Sequence, residues 1–240
     1  MSALTPEIRK KLATVSTATL TTLLFKRGFR NLFIQGVRPL TGKAQRILGP
    51  AYTLRHIPAR EDLDKLEAFR NPEHPQRKAV ESIPEGHVLV MDCRGDTTAA
   101  SAGGILITRL KMRGAAGVVS DGGIRDSGEI SQMEGFPVYC AGPSAPTNLN
   151  KHHCVDIGLP IACGGVPVFP GDIMLGDEDG VVVIPAHILE DIANEAAEQE
   201  IFERFVMERV SAGDTIVGLY PATNPATLDR YKEWRAAKGL

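Results

Sequence analysis

The chain has 240 residues, 43% of them hydrophobic, enough to bury a substantial core as a single large domain. A formal net charge of −2, with Lys and Arg scattered rather than striped, creates no field that would draw nucleic acid. No run has the length and apolarity of a membrane span or a secretory leader, and Cys93, Cys140, Cys154 and Cys163 lack zinc-type spacing; they read as reduced thiols of a cytoplasmic protein.

Pro6 opens a short helix with Leu12 and Val15 as its apolar contacts. Ser16 or Thr17 caps a second, which points Leu20, Leu23, Leu24 and Phe25 inward until Gly28 ends it. Threonines at 17, 19, 21 and 22 are poor helix formers, so tertiary packing must hold that segment. Alternation from Ala51 to Ile57 predicts a strand; His56 and Arg60 at its end are expected in salt bridges or solvent rather than lining a pocket. Residues 61–78 are charged and interrupted by Pro72 and Pro75, and read as a loop insertion that serves as a lid or an oligomer contact.

VLVMD (Val88 to Asp92) is a buried strand. Thr97 or Thr98 caps a helix running to Arg113, with Gly114 as its left-handed stop. AGVVS (Ala116 to Ser120) is a second buried strand that breaks into DGGIRD; a short helix and the strand FPVYC follow. His152 and His153 point to opposite sides of an extended segment and read as surface histidines. Asp177 to Gly180 forms an acidic turn rather than a calcium loop, ahead of the strand Val181 to Ile184. Pro185 opens a long helix to about Val210, with Ile188, Leu189, Ile192, Ala196, Ile201 and Phe205 on its apolar stripe. After Gly213, the aromatics Tyr220, Tyr231 and Trp234 predict a docked terminal helix, so residues 186–240 form a helical extension.

Strand, helix and strand with a charged, glycine-rich turn at a strand's carboxyl end is where open α/β proteins place ligands. Arg125 offers a planar fork suited to a carboxylate, and Asp126 an oxygen ligand for Mg2+ or Mn2+. Together they would hold a 2-oxo acid, with a cation polarising the ketone. A structural Arg–Asp pair in a tight turn is the plainer alternative. The glycines fit neither a P-loop nor a dinucleotide fingerprint, no nucleophile elbow or Schiff-base lysine is evident, and Cys93 has no adjacent histidine to generate a thiolate.

RGAAGVVSDGGIRD, the preceding GGILITRLKMRG and the downstream GGVPVFPGDIMLGDEDGVVVIP resemble the family containing 4-hydroxy-4-methyl-2-oxoglutarate aldolase and the regulator of ribonuclease activity A. The resemblance covers roughly residues 10 to 210. It implies an α/β swivelling β/β/α domain with N-terminal helices and a long C-terminal helix, assembled with itself into trimers or hexamers. It also implies cleavage of 4-hydroxy-2-oxo acids to pyruvate with a divalent metal, often alongside oxaloacetate decarboxylation. By that resemblance Arg125 binds the pyruvate carboxylate, Asp126 binds the metal, and the turn Gly103, Gly104, Ile105, Leu106 contacts substrate through its backbone.

One departure stands out. Aldolases of this family carry an acid where this chain has Gly104, so the carboxylate must come from elsewhere. Asp96 is the first candidate, then Asp121, with Asp92 third, while Arg94 could contact the substrate tail. An acid that the family takes from a partner's C-terminal helix would correspond to Glu198 or Glu200. The departure leaves two alternatives to a lyase: a hydratase or hydrolase of a sugar-acid-derived 2-oxo acid, and a non-catalytic regulator that binds a ribonuclease.

Overall fold

The computed structural model describes residues 4–42 and 45–240. Helix α1 (Pro6–Leu12) begins with Thr5 accepting the Ile8 amide, and α2 (Thr17–Lys26) with Ser16 accepting the Thr19 amide. The threonine-rich α2 is indeed pinned from outside: Thr17 donates from its amide and its hydroxyl to buried Asp177, at 2.7 and 2.8 Å. Leu20, Leu23 and Leu24 face the core as expected, but Phe25 is 56% exposed beneath the Arg30 guanidinium. Phe25 lies about 100° round the helix from Leu24, past the edge of the buried stripe.

Short strands β1 (Phe33–Ile34) and β2 (Arg38–Pro39) lead to the twelve-residue β3 (Ile47–Pro58). Within residues 61–78 a 3-10 turn at Leu66–Arg70 precedes α3 (Pro75–Ser82), whose first turn accommodates Pro75. Next come β4 (Val88–Asp92), β5 (Ala100–Ala102), α4 (Gly104–Met112), β6 (Gly117–Ile124), α5 (Ser127–Ser131) and β7 (Val138–Pro143). The predicted helix start at Thr97 or Thr98 is corrected by β5. Thr98 turns back onto Asp96 Oδ1, and Ala100–Ala102 pairs in parallel with β6 before the helix begins at Gly104. The helix then ends where expected, at Gly114 with φ 76°.

Strand β6 is also longer than predicted. It runs through both glycines to Ile124, with its register to β7 shifting between Ser120 and Gly123. The glycines are required by crowding: a Cβ on Gly122 would stand 2.7 Å from Cys93 Cβ, and one on Gly123 2.5 Å from Ser144 Cβ.

The remaining strands are β8 (His152–Ile157), β9 (Ile161–Cys163), β10 (Val166–Val168), β11 (Ile173–Asp177) and β12 (Gly180–Ile184), the last two joined by the predicted acidic turn. The large sheet runs β1-β12-β11-β3-β4-β6-β7-β2, with β5 on β6 and β8 on β3. Strands β3, β4, β6 and β7 are parallel, while β11, β12 and β1 join antiparallel. Helices α1 and α2 pack with the first turns of α6 (Leu189–Ser211) over β11 and β12, through Leu12, Leu20, Ile173, Val182 and Ile192. A second core, including Val80, Leu89, Ile107 and Val118, lies beneath α3 and α4, and a third, including Val90, Tyr139, Cys163 and Met174, lies beneath the β9–β10 hairpin.

Pro185 does not open the long helix: Ala186–Ile188 forms a 3-10 turn, and Ile188 and Ile201 are only half-buried. Helix α7 (Pro225–Ala237), capped by Asn224, docks on the far end of α6. Tyr231 and Trp234 meet Phe205 there, and Trp234 Nε1 donates to Glu208 at 2.7 Å. Mixed sheet, N-terminal helices and C-terminal helices together form the swivelling β/β/α architecture.

Candidate functional site

Arg125 and Asp126 stand where β6 hands over to α5, at the carboxyl end of the parallel strands. Asp126 adopts the left-handed conformation, φ 58° and ψ 33°, which few side chains tolerate. This turns its carboxylate back toward α4, where Oδ2 accepts the Gly104 amide at 2.9 Å. The Arg125 amide donates to the Ala102 carbonyl at 3.0 Å, and its Nε lies 3.6 Å from Asp126 Oδ1. Gly103 makes the arrangement possible: a Cβ there would fall 2.5 Å from Arg125 Cγ and 2.8 Å from Asp126 Oδ2. Both charged side chains remain open to solvent, 47% and 40% exposed.

They line a cleft of about 390 Å³, within the range of small-molecule sites. Gly103, Ile105 and Leu106 form one edge of it, so the predicted turn and the charged pair do meet. The 61–82 segment also lines it, through Leu66, Phe69, Gln76 and Arg77, as does Asn148. The Arg77 guanidinium lies 4.4 Å over the Phe69 ring.

The acids favoured from sequence lie elsewhere and do not line this cleft. Asp121 is buried and accepts three backbone amides: Cys93 at 2.5 Å, Gly95 at 3.1 Å and Gly164 at 2.9 Å. Burial pushes its carboxyl above the usual range. Asp96 accepts from Thr98, which holds its carboxyl below the usual range, and Asp92 accepts the Arg94 and Ala162 amides. Arg94 reaches the Lys151 carbonyl at 3.1 Å. Of the C-terminal acids, Glu198 pairs with Arg235 of α7 and Glu200 accepts the Ser16 amide.

A carboxylate that the sequence did not single out, Glu129, lies beside the start of α4, although it does not itself line the cleft. A Cβ built on Gly104 would stand 3.4 Å from Glu129 Oε2 and 3.5 Å from Asp126 Oδ2. The signal was available, because Glu129 follows Asp126 by three residues and a helix from Ser127 returns it to the same side. Gln76, Arg77 and Asn148 carried no comparable signal.

His56 and His152 correct the expectation of exposed histidines: they are 1% and 0% exposed, with ring centroids 5.6 Å apart. Adjacent His153 does point the other way, to Asp64 at 2.8 Å. His56 Nδ1–H donates to the Asp92 carbonyl, and burial pushes the ring down to about 3; burial lowers His152 as well. An unfolded histidine titrates near about 6.5, so below that pH the unfolded chain binds protons that the folded chain refuses. The His56 contribution is fully present above about 6.5 and is lost as the pH falls toward 3. Urea denaturation should therefore show the chain about 2 kcal/mol less stable at pH 5 than at pH 7 from this group. In His56→Asn that pH dependence should shrink; an undiminished drop would place its origin in other groups.

All four cysteines are free and buried, and burial pushes the Cys93 thiol up, away from thiolate chemistry. Among the described residues no group of three or more His, Cys, Asp and Glu side chains assembles. The solvent-open Asp126 carboxylate is of the kind that suits a hard cation held by one or two carboxylates and completed by water and substrate oxygens. No helix among the described residues is long and apolar enough to cross a membrane.

A putative 4-hydroxy-4-methyl-2-oxoglutarate aldolase from Halalkalibacterium halodurans is 36% identical over 180 residues, 73% of this chain and 79% of that protein. Streptomyces coelicolor RraAS2, described as an unusual member of the RNase ES inhibitor RraA protein family, superposes with a TM-score of 0.73 at 31% identity, covering 84% of this chain and 96% of that one. An uncharacterized protein from Pseudomonas syringae pv. tomato shares the fold, with a TM-score of 0.75 at 22% identity over 88% of this chain and 96% of that one. The model of the RraA-like family, Aldolase/RraA, matches residues 13–183, and the chain belongs to that family.

Proposed function

We propose that the protein is a divalent-metal-dependent lyase that cleaves a 4-hydroxy-2-oxo acid to pyruvate and a second carbonyl compound, and that it also decarboxylates oxaloacetate. The observation that carries this reading is the solvent-open Arg125–Asp126 pair, locked onto the start of α4 and flanked by Glu129. Asp126 would hold Mg2+ or Mn2+, whose chemistry would be to draw electron density from the 2-oxo group. The Arg125 fork binds the carboxylate and orients the substrate across the cleft. Gly104 gives its amide to Asp126, while the Ile105 and Leu106 amides, without partners inside the helix, serve the substrate's oxygens. Glu129 accepts the 4-hydroxyl proton as the C3–C4 bond breaks; the bond electrons pass into the 2-oxo group, and protonation at C3 gives pyruvate.

On this reading the protein is a homo-oligomer, a trimer or a hexamer. Pyruvate release from a panel of 4-hydroxy-2-oxo acids and oxaloacetate tests the function. Release should require Mg2+ or Mn2+ and fall at least about 100-fold on chelation with bound metal measured. Glu129→Gln should lower kcat by about 100-fold or more. The similarity to RraAS2 supports a second reading, a non-catalytic ribonuclease regulator. A chain that releases no pyruvate with either metal, yet inhibits an RNase ES-type ribonuclease, would replace the first reading with that one.

A further inference from the structure

Two side chains that line the cleft carry polar atoms that the folded chain does not satisfy. Gln76 and Asn148 are 3% and 5% exposed, both line the cleft, and Gln76 Oε1 and Asn148 Oδ1 are buried without a hydrogen-bond partner. Their orientation follows from their other ends. Gln76 Nε2 donates to the Ser101 carbonyl at 2.6 Å, and Asn148 Nδ2 approaches the same carbonyl at 3.5 Å. Turning either amide over would set its oxygen against that carbonyl, so the nitrogens stay there and the oxygens stay free. An unmet buried acceptor costs free energy, and pairs of them are rarely retained without a ligand or water to meet them.

What meets them must donate. A carboxylate or phosphate would place oxygen against oxygen, and a hydrocarbon tail would leave both acceptors unmet; an alcohol supplies O–H to each. Arg125 and Arg77 both line the cleft and outnumber its one acid, Asp126, which favours a ligand that carries negative charge. Arg77 has its guanidinium over Phe69, and burial lowers its pKa. We infer that Gln76 and Asn148 form a hydroxyl-reading subsite, and that the preferred substrate is a 2-oxo acid whose tail beyond carbon 4 carries further hydroxyl groups. This deepens the proposed lyase reading and rests on it for the 2-oxo acid end alone; the subsite itself rests on the two orphaned oxygens.

The test uses the full chain with Mn2+ and two substrates of equal length, 4,5,6-trihydroxy-2-oxohexanoate and 4-hydroxy-2-oxohexanoate. Pyruvate release gives kcat/KM for each, and calorimetry gives binding of the corresponding 2-oxo acids that lack the 4-hydroxyl and so cannot be cleaved. The parent should favour the hydroxylated compound at least about tenfold in both readouts, because unmet polar groups penalise the analogue that lacks the donors. In Gln76→Met and in Asn148→Leu the ratio should collapse toward one. Chemical denaturation checks that each variant folds; should both fail to fold, the parent's own discrimination decides. Equal treatment of the two compounds by the parent, or a ratio that survives both substitutions, overturns the subsite. Discrimination in binding with no pyruvate from either compound sinks the lyase reading and leaves the subsite standing.

Discussion

Asp126→Asn should lower turnover by about 1,000-fold or more while leaving the fold intact. Asparagine tolerates the left-handed backbone that position 126 requires, and its amide oxygen can still accept the Gly104 amide. What disappears is the negative charge; on the proposed lyase reading that charge holds the cation, so its loss removes several kcal/mol of transition-state stabilisation, at about 1.4 kcal/mol per tenfold in rate. Alanine is the poorer probe, because it loses the Gly104 bond and still pays for the positive φ. Asp126→Gly separates the two effects. Relief of the left-handed strain, about 1 kcal/mol, offsets the lost hydrogen bond, so the variant should be about as stable as the parent and equally inactive as Asp126→Asn. Turnover by steady-state pyruvate release and stability by urea denaturation decide the matter. Parental turnover in either variant would return Arg125 and Asp126 to the role of a structural pair.

Asp121→Ala should do the opposite: cost about 3–5 kcal/mol of stability and leave turnover per folded molecule largely unchanged. Three backbone amides, from Cys93, Gly95 and Gly164, converge on this buried carboxylate and would be left in the interior without an acceptor. These amides belong to the turn after β4 and to the β9–β10 hairpin, so the carboxylate ties together segments distant in sequence. For a chain of this size, such a loss lowers Tm by about 10 °C. Asp121→Asn retains one acceptor and should cost less. A variant with parental stability and no turnover would give Asp121 the chemical role that its place in the glycine-rich turn first suggested.

The parallel strands β4, β6 and β7 and the charged turn after β6 were legible because apolar runs bounded by glycine have few alternative readings. The start of α4 was not. Ala100–Ala102 has no periodicity of its own, and only pairing with β6 makes it a strand. The orientation of His152 and His153 followed from strand alternation, but depth did not, since burial of His152 depends on β3 bringing His56 against it. The part of the cleft lined by the 61–82 segment was hidden for a different reason. Pro72 and Pro75 erase the periodicity of residues 61–78, so nothing local shows that Phe69 and Arg77 stack or that Gln76 turns inward. Asp96 owes its rank in the sequence to a helix start that β5 displaces, and Asp121 to its place at the glycine-rich turn, where three backbone amides claim it; the one-turn helix α5 brings in Glu129 instead.

Strand β3 has a further consequence, for the order in which the molecule can form. Its first residues, 47–50, pair with 173–176, its middle pairs with β4, and its end pairs with β8. At the sheet's edge, residues 33–34 wait for 181–182. The N-terminal helices likewise find their apolar partners in β11, β12 and α6, at the other end of the chain. Such long-range closure is slow, because loop entropy must be spent before the contacts that repay it exist. During synthesis the parallel unit β3–β4–β6–β7 can assemble first, while β1 waits for β12, and α1 and α2 keep their apolar faces uncovered until the first turns of α6, to Ala196, have emerged. The interval between those two events is when this chain is most exposed to aggregation, and when a chaperone that covers leucine-rich helices has something to hold.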